Sequence, residues 1–166
     1  MLQPSHSSSS SSLPNLRGVV FVVDAADLGP GSEALRVAAE YLHDVLLLLV
    51  QRKRGRKDVC QVLVAANKLD LFTALPAGLV RTALEAEIEQ VRRGRERGLL
   101  DSGMAADGDA GGGGDGDGWL GDGGAGKFTF DQLEGDGVEV SVVGGSVLGN
   151  EGADVQKWWE WIAGQL

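Results

Sequence analysis

The chain is poor in the residues that build covalent or metal cross-links. Its 166 residues include one cysteine, Cys60, and two histidines, His6 and His43. A single thiol excludes an intramolecular disulfide and a cysteine-based zinc cluster. The two histidines have no ligand partners at metal-binding spacing, so no metal site is expected. Long apolar runs are also missing. Val45–Val50 is among the longest, at six residues, against the roughly 18–20 that a membrane-crossing helix needs. No membrane span is expected in this sequence. The opening MLQPSHSSSSSSLPN lacks the apolar stretch of a secretory signal and reads as a disordered, Ser-rich tail over 1–15. Positive charge is not in excess either. Fifteen Lys and Arg stand against 24 Asp and Glu, a net −9. Such a chain repels phosphate backbones, so general nucleic-acid binding is excluded.

What the chain does have is enough apolar sequence for a core, at 43%, in an alternating pattern of strands and helices. GVVFVV within 17–26 is a short β-branched and aromatic run, the signature of a strand buried on both faces. It ends at Asp24. Gly29-Pro30-Gly31-Ser32 then breaks the chain and offers a helix start. Leu35, Ala38, Ala39, Leu42, Val45, Leu46 and Leu49 follow at helical spacing, predicting an amphipathic helix over about 32–51. Arg52, Lys53, Arg54, Arg56 and Lys57 come next; cations suit a helix C-terminus, which Gly55 marks. Val59–Ala66 is a second buried strand, with Cys60 as a small core residue. After Pro76, Leu79, Val80, Ala83, Leu84, Ile88 and Val91 share one face of a second helix, about 77–97. Its basic end (Arg92, Arg93, Arg95, Arg97) reads as solvated.

Residues 101–126 change character: twelve are Gly, six are Asp, and none is Lys, Arg or Glu. This predicts a disordered Gly/Asp-rich insert inside the domain. Its acids lack the alternate spacing and closing Glu of a calcium loop. Beyond it FTFDQL alternates like a strand, Val138–Val143 is a third sheet strand, and Asp154 is placed to cap a last helix. On that helix Val155, Trp158, Ile162 and Leu166 share a face. Trp158 is expected in the core, with Trp159 and Trp161 free to cover the sheet edge. The chain is thus expected to hold a tail at 1–15 and one α/β domain over 16–166, with a doubly wound parallel sheet. In such sheets ligands sit beyond the C-terminal strand ends, here Asp24, Asn67–Asp70 and Gly144–Ser146.

Two stretches carry nucleotide chemistry. GDGGAGKF at 121–128 matches the phosphate-loop spacing G-x-x-x-x-G-K-[ST] except at its last position, Phe128. A working phosphate loop follows a buried strand and opens a helix. This one follows a Gly/Asp tract, precedes an alternating segment, and has no hydroxyl for magnesium. A circularly permuted order, with the loop after the base motif, needs a downstream D-x-x-G, and none follows Lys127. Asn67-Lys68-Leu69-Asp70 is a better case. [NT]-K-x-D at the end of a buried strand recognises guanine: the Asp carboxylate accepts from N1–H and the 2-amino group, a donor pair adenine lacks. The Asn amide lies near N7 and ties loops together, and the Lys stem covers the base or ribose face. Gly145-Ser146-Val147, after the next strand, can offer backbone N–H groups to the guanine O6. The candidate guanine-binding residues are therefore Asn67, Lys68, Asp70, Gly145, Ser146 and Val147.

GVVFVVDAAD, NKLDLFTALP, EAEIEQVRRGRERGLLD, FTFDQLEG, VEVSVVGGSVLG and WWEWI together resemble the beta subunit of the signal recognition particle receptor, in its fungal form, over 16–166. That family is a small Arf-like GTPase. The resemblance implies a partial Ras-like sheet, its strands those of the 4-5-6 side of the order 2-3-1-4-5-6. It implies GTP as the nucleotide, the receptor's alpha subunit as partner, and the cytosolic face of the endoplasmic reticulum membrane as location. The family's membrane helix, phosphate loop, switch region and D-x-x-G motif precede the part resembled here. The guanine motifs carry over to this chain, and no phosphate, magnesium or catalytic residue does. A second reading stays open: an interaction fragment that binds no nucleotide and docks through an exposed sheet edge.

Overall fold

The computed structural model describes residues 16–53, 59–101, 120–121, 127–149 and 152–166. The expected tail at 1–15, Arg54, Arg56 and Lys57 of the basic run, and nearly all of the expected insert lie outside these residues. Three strands form one parallel sheet in the order β1 (Gly18–Asp24), β2 (Cys60–Asn67), β3 (Val138–Gly144). Between β1 and β2 runs α1 (Glu33–Lys53); between β2 and β3 runs α2 (Ala77–Asp101), then a 3-10 turn at Phe130–Glu134; α3 (Gln156–Ala163) closes the chain. This is the α/β architecture expected, and the order of three parallel neighbours fits one side of a Ras-like sheet.

β2 is central and apolar on both faces for that reason. Val62, Val64 and Ala66 pack with α1 and α2, while Leu63 and Ala65 face Trp158 of α3. Each of these β2 residues has no exposed surface. A fully buried Val or Leu contributes about 1.5–3 kcal/mol, so this strand anchors the sheet. β1 is an edge among the described strands, and Val20 and Val22, on the same sheet face as Leu63 and Ala65, are 43% and 58% exposed.

The helices follow the apolar stripes. Ser32 caps α1: its hydroxyl accepts from the Leu35 N–H at 3.1 Å and donates to the Asp27 carbonyl at 2.8 Å. Leu35, Ala39, Leu42, Leu46 and Leu49 are buried, as their spacing requires. On α2, Val80, Leu84 and Ile88 are buried, but Leu79 is exposed. At the basic end of α2, Arg93, Arg95 and Arg97 are exposed as expected, and Arg92 is the exception. The helix continues to Asp101, and Arg92 is buried, its guanidinium 5.3 Å from the Phe128 ring centre. α3 starts two residues beyond Asp154, and its N-cap Val155 makes no side-chain cap bond. Asp154 instead pairs its backbone with Ser146. Leu166 is exposed rather than part of the apolar face. Trp161 does cover the sheet edge: a Cβ on Gly18 would lie 3.1 Å from its ring.

His43 is buried on α1, with Nδ1 3.3 Å from the Asp44 carboxylate, which the Arg95 guanidinium of α2 also contacts at 2.7 Å. Burial is the largest influence on the imidazole and lowers its pKa below 6.5. Arg95 and Arg92 add to the lowering, and Asp44 opposes it. The unfolded chain therefore binds the proton more readily. His43 contributes stability that is complete above about pH 6.5 and is lost as pH falls through the depressed folded value. Thermal melts between pH 7.5 and 5 should show the midpoint falling on the acid side, with a slope of at most about 1.4 kcal/mol per pH unit. His43→Leu should flatten that slope.

Candidate functional site

The C-terminal ends of β2 and β3 are held together closely enough to make a pocket. The register pairs Asp24 with Asn67 and Ala66 with Gly144, so all three strands end at one level. Beyond them the chain interlocks. The Leu69 N–H donates to the Gly145 carbonyl at 3.1 Å, and the Gly145 N–H donates to the Ala66 carbonyl at 2.9 Å. Two glycines are needed here. A Cβ on Gly144 would lie 2.0 Å from Leu69 Cδ1, and one on Gly145 would lie 2.4 Å from the Asp154 carbonyl oxygen. A side chain at 145 would force the two loops apart, and one at 144 would displace the Leu69 side chain.

Leu69, Asp70, Gly145, Ser146, Gly149, Gly152 and Asp154 line a cavity of about 400 Å³, within the range of small-molecule pockets. Of the six residues expected from sequence, Asp70, Gly145 and Ser146 line it directly. Asn67 stands behind it. Its side-chain oxygen accepts the Val147 N–H at 3.0 Å, bridging the two loops. The loop-tying role expected of this Asn is what the geometry displays. Lys68 adopts a left-handed backbone, φ 66°, and its ammonium pairs with Asp24 at the end of β1. Asp24 is the largest influence raising the Lys68 pKa.

The backbone N–H groups of 145–147 are all engaged. Gly145 donates to Ala66, Ser146 to the Asp154 carbonyl at 3.0 Å, and Val147 to Asn67. A guanine O6 would have to compete with one of these bonds. Gly149, Gly152 and Asp154 are pocket residues that the sequence reading did not assign to the site. The signal for them was the run GNEGAD after the third strand, whose glycines let the chain fold back so that Ser146 and Asp154 exchange backbone hydrogen bonds.

The second nucleotide motif, GDGGAGKF, fails on structural grounds where it is described. Phe128, in the magnesium-hydroxyl position, has no exposed surface and packs edge-on to Phe130 with ring centres 5.9 Å apart. The Phe128 N–H donates to the Glu89 carboxylate at 3.1 Å, and the Phe130 N–H to the Glu85 carboxylate at 3.0 Å. At Phe128 a carboxylate occupies the backbone donor, and its charge would repel a phosphate there. FTFDQL is not a strand: a 3-10 turn follows Thr129, and the alternation of the two Phe residues serves core packing against α2. Among the described residues no three His, Cys, Asp or Glu side chains gather as a metal site. No helix there is long and apolar enough to cross a membrane.

Comparison with known proteins gives a consistent set of relatives. A family model described as signal recognition particle receptor beta subunit matches residues 4–138. Signal recognition particle receptor subunit beta of Saccharomyces cerevisiae is 28% identical over 156 residues, covering 91% of this chain and 56% of that protein. Among solved structures, SRb of Chaetomium thermophilum with GDP and Mg is similar with a TM-score of 0.74 and 39% identity, over 90% of this chain and 61% of that one. SRb-GTP in complex with SRX, from the same organism, gives 0.74 and 36%, over 98% of this chain and 55% of that one. The chain therefore spans a little over half the length of these relatives.

The Asn67 bridge has a direct test. Asn67→Ala removes one hydrogen bond to a half-exposed N–H, a loss of about 0.5–1.5 kcal/mol. Amide hydrogen exchange should speed up at Val147 and its neighbours in 145–149 while the β2 amides keep their protection.

Proposed function

Because the chain belongs to the signal recognition particle receptor beta subunit family, we propose that it recognises guanine nucleotides through Asn67, Lys68, Asp70 and the Gly145–Val147 loop, as part of a receptor that engages an alpha subunit at the cytosolic face of the endoplasmic reticulum. The observation that carries this reading is the position of Asp70 on the wall of the pocket opposite Gly145 and Ser146. A carboxylate there can accept both N1–H and the 2-amino group of guanine. Adenine lacks that donor pair; Asp70 is exposed in the free chain, so the discrimination arises only where a bound base shields it from water.

The described residues fit the base and do not fit the phosphates or magnesium. The Phe128 and Phe130 N–H groups are taken by Glu89 and Glu85, and no hydrolytic step is proposed for this chain. Base recognition alone has to offset roughly 4–15 kcal/mol of lost translational and rotational freedom. Hydrogen bonds contribute only about 0.5–3 kcal/mol each, and one O6 donor must first give up an internal partner. The expected affinity is therefore about millimolar. The interaction-fragment reading is supported by a separate feature: a groove of about 560 Å³ between the β1 edge and α1, lined by Val20, Val22, Val37 and Tyr41 among others.

Ligand-observed NMR titration separates the two. Guanosine should bind with a Kd of about 1 mM and adenosine at least about tenfold more weakly. GTP with magnesium should gain little over guanosine, and GTP hydrolysis should be undetectable. Asp70→Asn should lose guanosine and gain xanthosine, whose 2-oxo group accepts where guanine's amino group donates. Equal binding of guanosine and adenosine would leave the interaction reading alone. Submicromolar, magnesium-dependent GTP binding would show that a phosphate site exists after all.

A further inference from the structure

Asp24 belongs to no nucleotide motif, yet both of its carboxylate oxygens are committed at the strand ends. Oδ1 accepts the Ala26 N–H at 3.1 Å, which fixes the carboxylate just beyond β1. Oδ2 holds the Lys68 ammonium. The backbone around the pair is itself tied down: the Ala25 N–H donates to the Asn67 carbonyl at 3.0 Å, and the Leu75 N–H to the Ala25 carbonyl at 2.8 Å. Lys68 sits one residue past the register pair Asp24–Asn67, and its left-handed backbone lets the side chain turn back toward β1 while Leu69 continues toward β3. The pocket wall formed by Asp70, Gly145, Ser146 and Asp154 lies on the β3 side of β2. The lysine stem therefore runs the other way, from the end of β2 to the end of β1.

Resting on the guanine reading above, we infer that Asp24 is a positioning residue for nucleoside binding. It pins the Lys68 ammonium at the end of β1, so that the methylene stem forms a fixed shelf for the sugar and base face of a guanine nucleoside whose edge is held by Asp70. A base anchored at Asp70 has its sugar directed away from the Gly145–Asp154 wall, toward β1, where that stem crosses. An unpinned lysine would have to be ordered by the ligand, and lysine is among the side chains that lose most rotamer freedom on ordering. Asp24 orders it in advance. The acid also balances the ammonium charge, with Asp27 and Asp70 adding to the favourable field around it.

The test uses the full chain, guanosine as the probe, and the variants Asp24→Asn, Lys68→Met and the double variant. Asn at 24 retains the acceptor for the Ala26 N–H and removes the charge, and Lys68 is exposed, so both single variants preserve the fold. Because exposed ion pairs are weak, Asp24→Asn should raise the guanosine Kd by about two- to fivefold. Lys68→Met should do the same, and the double variant should be no worse than either single one. If Asp24→Asn is equally costly in the Lys68→Met background, Asp24 acts structurally and the inference fails. It fails as well if Asp24→Asn leaves guanosine affinity unchanged. An independent readout is the Lys68 ε-methylene resonance in the free protein. Its titration should lie above that of an ordinary lysine and return to the ordinary range in Asp24→Asn; no change on substitution overturns the pairing without reference to any ligand. Absence of guanosine binding in the unsubstituted chain would instead sink the guanine reading.

Discussion

The strand ends depend on one close approach, that of Gly144 and Gly145 to the turn after β2. Leu69 fills the space where a Gly144 side chain would be, and the Asp154 carbonyl fills the space over Gly145. The missing Cβ at Gly145 lets the Asp154 backbone lie against this loop, where the Leu69 N–H reaches the Gly145 carbonyl and Asn67 reaches Val147. Asp70, Ser146 and Asp154 then converge on a single cavity. The pocket is thus a consequence of backbone contact, and its acidic wall is positioned by hydrogen bonds that are complete before any ligand arrives. Such preorganisation lowers the cost of binding. It also commits the loop donors, which limits what a ligand can gain.

A second constraint returns the chain to the sheet after α2. Two carboxylates on one face of that helix, Glu85 and Glu89, accept the backbone N–H groups of Phe130 and Phe128. Arg81 and Arg92 on the same helix pair with those acids and lie over the two rings. Burying a carboxylate is costly unless it is paired and hydrogen-bonded. Each acid here meets both conditions, while each Phe adds about 1.5–3 kcal/mol of burial. Phe128 and Phe130 thus form a packing device that delivers β3 to its place beside β2.

The strands and the first two helices were legible because each is written locally: a β-branched run or a helical period. The failures share a cause. FTFDQL alternates as a strand does, but its N–H groups find partners about forty residues back in sequence, on α2. Arg92 looked solvated like its neighbours because nothing nearby in sequence shows Phe128 beneath it. Asp154 looked like a cap because its bond to Ser146 requires the Gly149–Gly152 turn. The role of Asp24 depends on a parallel register with β2, and only the assembled sheet brings it to Lys68. The carboxylates that hold the Phe128 and Phe130 N–H groups became visible only in three dimensions.

The central claim is that guanine is read at the interlocked ends of β2 and β3. It is tested most directly by mapping amide chemical-shift changes of the 15N-labelled chain as guanosine is added. The account predicts changes confined to residues 24–26, 67–70, 145–149 and 152–154, with Val20, Val22, Tyr41 and the Phe128–Leu133 segment silent. Changes centred on Val20, Val22 and Tyr41, or on Lys127 and Phe128, would contradict it.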